Sequence, residues 1–120
     1  MPKTIAITGA NGFIGVALVK ALHNDGCRIK AFVHHLPLVK QPGVEYHQYD
    51  LCVLPDKELF KDVDILIHLA FHFKQPSKDQ PDININAALF LKSLNLSRYI
   101  LVSSFSASAN ALSYYGRCKH

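Results

Sequence analysis

The chain has 120 residues, 49% of them hydrophobic and 18% charged, with a net charge of +4. That length supports one domain with a core of its own, and that balance excludes a disordered polypeptide. So modest a charge, on scattered basic residues, suits an anionic small molecule and gives no stripe for nucleic acid.

No apolar run reaches the ~18–20 residues that cross a bilayer. Met1-Pro2-Lys3 runs straight into a strand pattern, unlike a signal peptide. Three cysteines, Cys27, Cys52 and Cys118, lack C-x-x-C spacing and read as thiols of a reducing, cytoplasmic setting.

The first predicted element is a strand. Thr4-Ile5-Ala6-Ile7 is apolar and β-branched, as a buried parallel strand is. Thr8-Gly9-Ala10-Asn11-Gly12-Phe13-Ile14-Gly15 follows and leads into a helix. There Ile14, Ala17, Leu18, Ala21 and Leu22 recur at i, i+3, i+4, i+7 and i+8, which predicts that they face the sheet. The glycines thus fall where a strand becomes a helix. Gly9 permits a tight turn, Gly12 lets a ligand approach backbone, and Gly15 lets the helix press on the strand. Unpaired N–H groups at that helix start suit a diphosphate. A plain strand-to-helix turn is the alternative, which the flanking elements make the poorer reading. The spacing G-x-x-G-x-x-G differs from G-x-G-x-x-G, and no Gly-Lys-Ser/Thr follows as a P-loop requires. It resembles the TGAxGFIG signature of extended and atypical short-chain dehydrogenase/reductases, the NAD(P)-dependent epimerase/dehydratase-like group.

Asn24-Asp25-Gly26 ends the first helix, and Arg28–Val33 is the second strand, closed by His34-His35-Leu36-Pro37. In a dinucleotide fold the residue roughly 20 beyond the glycines meets the adenosine ribose, and an acid there favours NAD. Histidines occupy that place, with Lys40 nearby. They lean the cofactor toward NADP, whose 2′-phosphate the imidazoles and Lys40 suit; solvated loop histidines are the competing reading. Val44–Tyr49 is the third strand and ends in Asp50-Leu51. The resemblance implies that Asp50 accepts from the adenine amine; otherwise it is a helix cap or turn residue. Pro55–Phe60 is a short helix.

Asp64–Ala70 is the fourth strand and looks like the family's DVxIHLAA segment. The resemblance implies that Leu69, Ala70 and Phe71 wall the cofactor cleft, with Phe71 replacing a second alanine and tightening the fit. His68 and His72 have a helical metal-pair spacing, but they lie on a strand and its exit with no carboxylate to complete a set, so no metal site is expected. Residues 71–81 are polar and proline-punctuated, a loop over the cleft where substrate contacts fall. A helix is predicted from about Ile83 to Asn95, with Ile85, Ala88, Leu89 and Leu94 toward the sheet. Asn84 or Asn86 fills the place of an asparagine the family carries. Arg98–Val102 is the fifth strand.

Ser103-Ser104 closes that strand, and Tyr115 and Lys119 then follow at i, i+4, on one face of a helix. An ammonium beside a phenol favours the phenolate, bringing a group with a pKa of about 10 toward working range. Tyr114 has Cys118 at the same offset and is the poorer candidate. In the family resembled, these positions imply a catalytic group of Ser104 (Ser106 second), Tyr115 and Lys119, with Ser103, Tyr115 and Lys119 also touching cofactor. The interval from Ser104 to Tyr115 is shorter than in nucleotide-sugar epimerases and looks like the atypical branch.

The resemblance implies an α/β, Rossmann-type doubly wound parallel sheet of strand order 3-2-1-4-5, truncated after the fifth strand. Residues 1–120 are then a single, incomplete NAD(P)-binding domain whose C-terminal substrate region is absent. The helix bearing Tyr115 has barely begun at His120, so the segment after Ser108 is expected to be frayed or ordered only by another chain. The cofactor contacts expected are Gly9, Asn11, Gly12, Phe13, Ile14, Gly15, His34, Asp50, Leu51, Leu69, Ala70 and Phe71, besides the three just given. The expected activity is hydride transfer between nicotinamide and a carbonyl or alcohol carbon of a small-molecule substrate, with little or none from this piece alone. The parent is expected to be a possible homo-oligomer that engages neither nucleic acid nor membrane. A non-catalytic dinucleotide-binding sensor or scaffold is the alternative.

Overall fold

The computed structural model describes residues 2–71, 82–94 and 96–102. Within them the chain runs β1 (Thr4–Thr8), α1 (Phe13–Asn24), β2 (Arg28–Val33), β3 (Glu45–Gln48), a 3-10 turn (Lys57–Phe60), β4 (Ile65–His68), α2 (Ile83–Ser93) and β5 (Arg98–Leu101). The strands form one sheet in the order β3-β2-β1-β4-β5, and each neighbouring pair is parallel. This is the doubly wound arrangement expected, with β1 at its centre.

Strand alternation divides the core into two layers. On one face Ile5, Ile7, Ile29, Ala31, Val33 and Ile67 pack with Ala10 and with Val19 of α1. On the other, Ala6, Phe32 and Leu66 pack with Tyr49, Phe60, Val63 and Leu91 of α2. Phe32 and Phe60 stack at 4.8 Å between ring centroids, which fastens the 3-10 turn beneath β2. Asp56 caps that turn by accepting from the Glu58 N–H, so only Lys57–Phe60 of the predicted short helix is regular.

Both helices are rotated from the expected faces. In α1 the inward residues are Gly15, Leu18, Val19 and Leu22, whereas Ile14 is 58% exposed and Ala17 and Ala21 face solvent. The cause is Gly15, which must lie against the glycine turn and so fixes the rotation of the whole helix. In α2, Asn84, Ala87 and Leu91 are buried and Leu94 packs beside them, while Ile85 and Leu89 face outward and Ala88 is half-buried. A polar Asn84 on the inner face hid that stripe from a count of apolar residues.

Candidate functional site

The carboxyl ends of β1, β2 and β4 open onto one cleft, as parallel topology requires at the place where strand order reverses. Its floor is the turn from β1 to α1. Gly9 sits at φ +66, and a Cβ there would stand 2.9 Å from the Ala70 nitrogen. A Cβ on Gly15 would fall 2.2 Å from the Gly9 carbonyl oxygen and 2.8 Å from Ala10. The helix thus presses on the turn itself rather than on the strand. Gly12, the α1 N-cap, makes no side-chain cap, and its own N–H donates to the Gly9 carbonyl at 3.1 Å. The amides of Phe13, Ile14 and Gly15 therefore begin the helix without a helical acceptor, the arrangement that takes an anion.

Above this floor lies a cavity of about 320 Å³. Gly9, Asn11 and Gly12 line one side, Leu69, Ala70 and Phe71 another, and Phe32, His34, Tyr49, Asp50 and Leu51 the third. The β2 exit is anchored by its backbone. The His34 carbonyl accepts from Gln48 Nε2 at 3.1 Å, and the His35 carbonyl accepts from Asn11 Nδ2 at 3.2 Å. The two imidazoles lie 4.2 Å apart, and His34 Nε2 is 3.8 Å from Asp50 Oδ2. Asp50 Oδ1 accepts from the Cys52 N–H at 2.9 Å, so Asp50 is a turn residue that also lines the cleft. A separate hydrogen bond from the Cys52 thiol to the Asp50 carboxylate pushes the thiol pKa up. Burial, with help from Tyr99 and Asp50, pushes the Tyr49 phenol up to about 12, so it is a neutral hydrogen-bonding group at any working pH.

Nine of the expected cofactor residues line this cavity: Gly9, Asn11, Gly12, His34, Asp50, Leu51, Leu69, Ala70 and Phe71. Three do not line it. The Phe13 side chain is 97% exposed, Ile14 also faces solvent, and Gly15 is buried under the turn, so what these positions offer is backbone. Lys40 lies apart from the cleft, over the Tyr46 ring at 5.9 Å, in a separate hollow between α1 and the β2–β3 loop. Phe32 and Tyr49 line the cleft without having been singled out, because apolar residues of a buried strand look alike in sequence whichever wall they form. Of the two asparagines, Asn84 is buried and lines an adjoining cavity with His68 and Tyr99, whereas Asn86 is exposed. His72, Ser103, Ser104, Ser106, Tyr115 and Lys119, with the stretch after Ser108, lie outside the described residues. Among the described residues no three His, Cys, Asp or Glu side chains converge as metal ligands, and no helix is long and apolar enough to cross a membrane.

The sequence pattern of the NAD-dependent epimerase/dehydratase family matches residues 5–119. The chain belongs to that family. No curated protein sequence matches it. The solved structure of MoeE5 in complex with UDP-glucose and NAD is 29% identical over 97% of this family member and superposes with a TM-score of 0.76. A nucleoside-diphosphate sugar epimerase from Corynebacterium glutamicum is 28% identical over 87%, with a TM-score of 0.66. A UDP-N-acetylglucosamine 4-epimerase from Bacillus cereus, 23% identical over 98% at a TM-score of 0.67, shares the fold. The chain spans 45% of MoeE5, 23% of the Corynebacterium protein and 45% of the Bacillus one.

Proposed function

We propose that the chain is the cofactor-binding part of an NAD(P)-dependent epimerase, dehydratase or reductase of the short-chain type. The observation that carries this reading is the uncapped start of α1 beneath a cleft lined by nine of the residues expected to meet a dinucleotide. In it, the Phe13, Ile14 and Gly15 amides hold the diphosphate. Asp50 and Leu51 meet the adenine, and Leu69 to Phe71 wall the cleft where backbone approaches the ribose. The cofactor supplies a hydride acceptor or donor. Tyr115 moves the proton at the substrate's carbonyl or alcohol oxygen, Lys119 lowers the phenol's pKa, and Ser104 holds the oxygen in place.

The absence of an acid at the end of β2 supports NADP, with His34 and His35 as partners of the 2′-phosphate. MoeE5 makes NAD the comparison cofactor and a sugar nucleotide the first substrate to try, against the short interval from Ser104 to Tyr115. The parent protein is read as cytoplasmic and as a homo-oligomer.

Calorimetric titration of the chain with NADP and NAD tests the cleft. Binding of either, at a stoichiometry of one, is the expected result, and heat-silent titrations with both would remove the reading. Chemistry is tested on a longer version carrying the substrate region, by following NADPH absorbance with a panel of carbonyl compounds. Tyr115→Phe is expected to lower turnover by about 10²–10⁴-fold with cofactor affinity nearly unchanged. A longer wild-type protein that binds cofactor and turns over nothing would be a sensor or scaffold instead.

A further inference from the structure

Thr8 ends β1 fully buried, and its hydroxyl serves three partners. It accepts from the Leu69 N–H at 3.0 Å and from the Ala70 N–H at 3.1 Å, and it lies 2.6 Å from His68 Nδ1. A hydroxyl has one proton to give and two lone pairs with which to accept. Amides only donate, so the Ala70 N–H and the Leu69 N–H, which also reaches the Thr8 carbonyl at 3.3 Å, point at the lone pairs and leave the proton for His68. Nδ1 is then the acceptor, and the imidazole carries its own hydrogen on Nε2. The other tautomer would set a third N–H in competition with those two amides for the same pair of lone pairs. His68 is 2% exposed, and an unmade bond at such depth costs about 1–3 kcal/mol.

We infer that Thr8 and His68 are positioning residues for the dinucleotide cleft, acting as one unit. By drawing the hydroxyl proton, His68 turns both lone pairs of Thr8 onto the Leu69 and Ala70 amides. That holds the backbone of one cleft wall against Gly9, whose missing Cβ would stand 2.9 Å from the Ala70 nitrogen. Neither side chain lines the cleft, and both act through the Leu69–Ala70 backbone that does. The inference rests on the cleft being a dinucleotide site, so its test also includes readouts that need no cofactor.

The first readout is the nitrogen spectrum of His68 in the full chain labelled with ¹⁵N-histidine. A pyridine-like Nδ1 and a pyrrole-like Nε2 are expected; a pyrrole-like Nδ1 would overturn the proton assignment. The second is amide hydrogen exchange in Thr8→Ser, Thr8→Val, His68→Asn and His68→Leu. Ser keeps the hydroxyl, and Asn keeps an acceptor where Nδ1 stands. Val and Leu are expected to speed exchange at Ala70, and less at Leu69, whose N–H keeps the Thr8 carbonyl at 3.3 Å, while the β1–β2 amides stay protected; Ser and Asn are expected to restore wild-type rates. The third is calorimetry with NADP and NAD, in which Val and Leu bind about tenfold more weakly and Ser and Asn bind as wild type. Should Thr8→Val unfold, His68→Leu, which leaves the Thr8 hydroxyl in place, carries the comparison. Folded Val and Leu variants with unchanged exchange and affinity would overturn the positioning role. If the wild type binds neither cofactor, the reading of the cleft fails, and the nitrogen shifts and exchange rates still decide the local device.

Discussion

Gly15 shows how one missing methyl organises a site. With its Cβ position 2.2 Å from the Gly9 oxygen, Gly15→Ala forces either the helix or the turn to move. Overpacking of this kind costs about 1–3 kcal/mol or more. The substitution is therefore expected to lower the thermal midpoint and abolish calorimetric NAD(P) binding together, whereas Gly12→Ala, whose Cβ among the described residues meets only the Gly9 oxygen at 3.3 Å, should leave the midpoint closer to wild type. A second residue-scale effect is electrostatic. The Lys30 ammonium donates to Asp62 at 2.6 Å, and that hydrogen bond holds the carboxyl below its ordinary range. A lowered folded value means the contribution is present above the unfolded value of about 3.9 and is lost as pH falls through the lower folded one. Asp62→Asn should accordingly flatten the acid limb of the stability curve, slightly, because the side chain is half-exposed and solvent screens the pair. Gly9 and Gly15 were readable in the chain because the backbone there leaves no room for a Cβ. Phe32 and Tyr49 were not, since nothing in their type separates a cleft wall from a core.

At the scale of elements, the two helices carry the lesson. Amphipathic counting located both but rotated each by about one position, and the reasons are tertiary: Gly15 docking on the turn for α1, and Asn84 held inward for α2. The observed rotation separates two leucines of α2. Leu91 is buried on the sheet and Leu89 is 60% exposed. Leu91→Ala is expected to cost about 2–5 kcal/mol in a urea melt, and Leu89→Ala to stay within about 0.5 kcal/mol of wild type. Equal costs would return the helix to the face that sequence counting favoured. The strands came through with little change, because a buried parallel strand is a continuous apolar run with only two faces to choose between. Their ends are shorter than expected: Tyr49 and Asp64, for example, lie outside the β3 and β4 ladders, though the Tyr49 N–H still donates to the Val33 carbonyl.

At the scale of the whole molecule, the 3-2-1-4-5 order followed from an ordered series of short motifs, of which the glycine turn was the most informative. The catalytic group could be read only as a spacing, Tyr115 to Lys119, and a spacing does not carry a distance. The central strand also has a history built into it. β1 bonds β2 about two dozen residues away and β4 across 60. β4 therefore follows β2 by 36 residues (60 less 24), which a ribosome adding about 5–20 residues per second needs some 2–7 s to make. Through that interval the Ile5–Ile7 rung of a nascent chain has a neighbour on one flank and bare amides and carbonyls on the other. Until β4 closes it, that half-finished seam is an open edge on which another chain could pair.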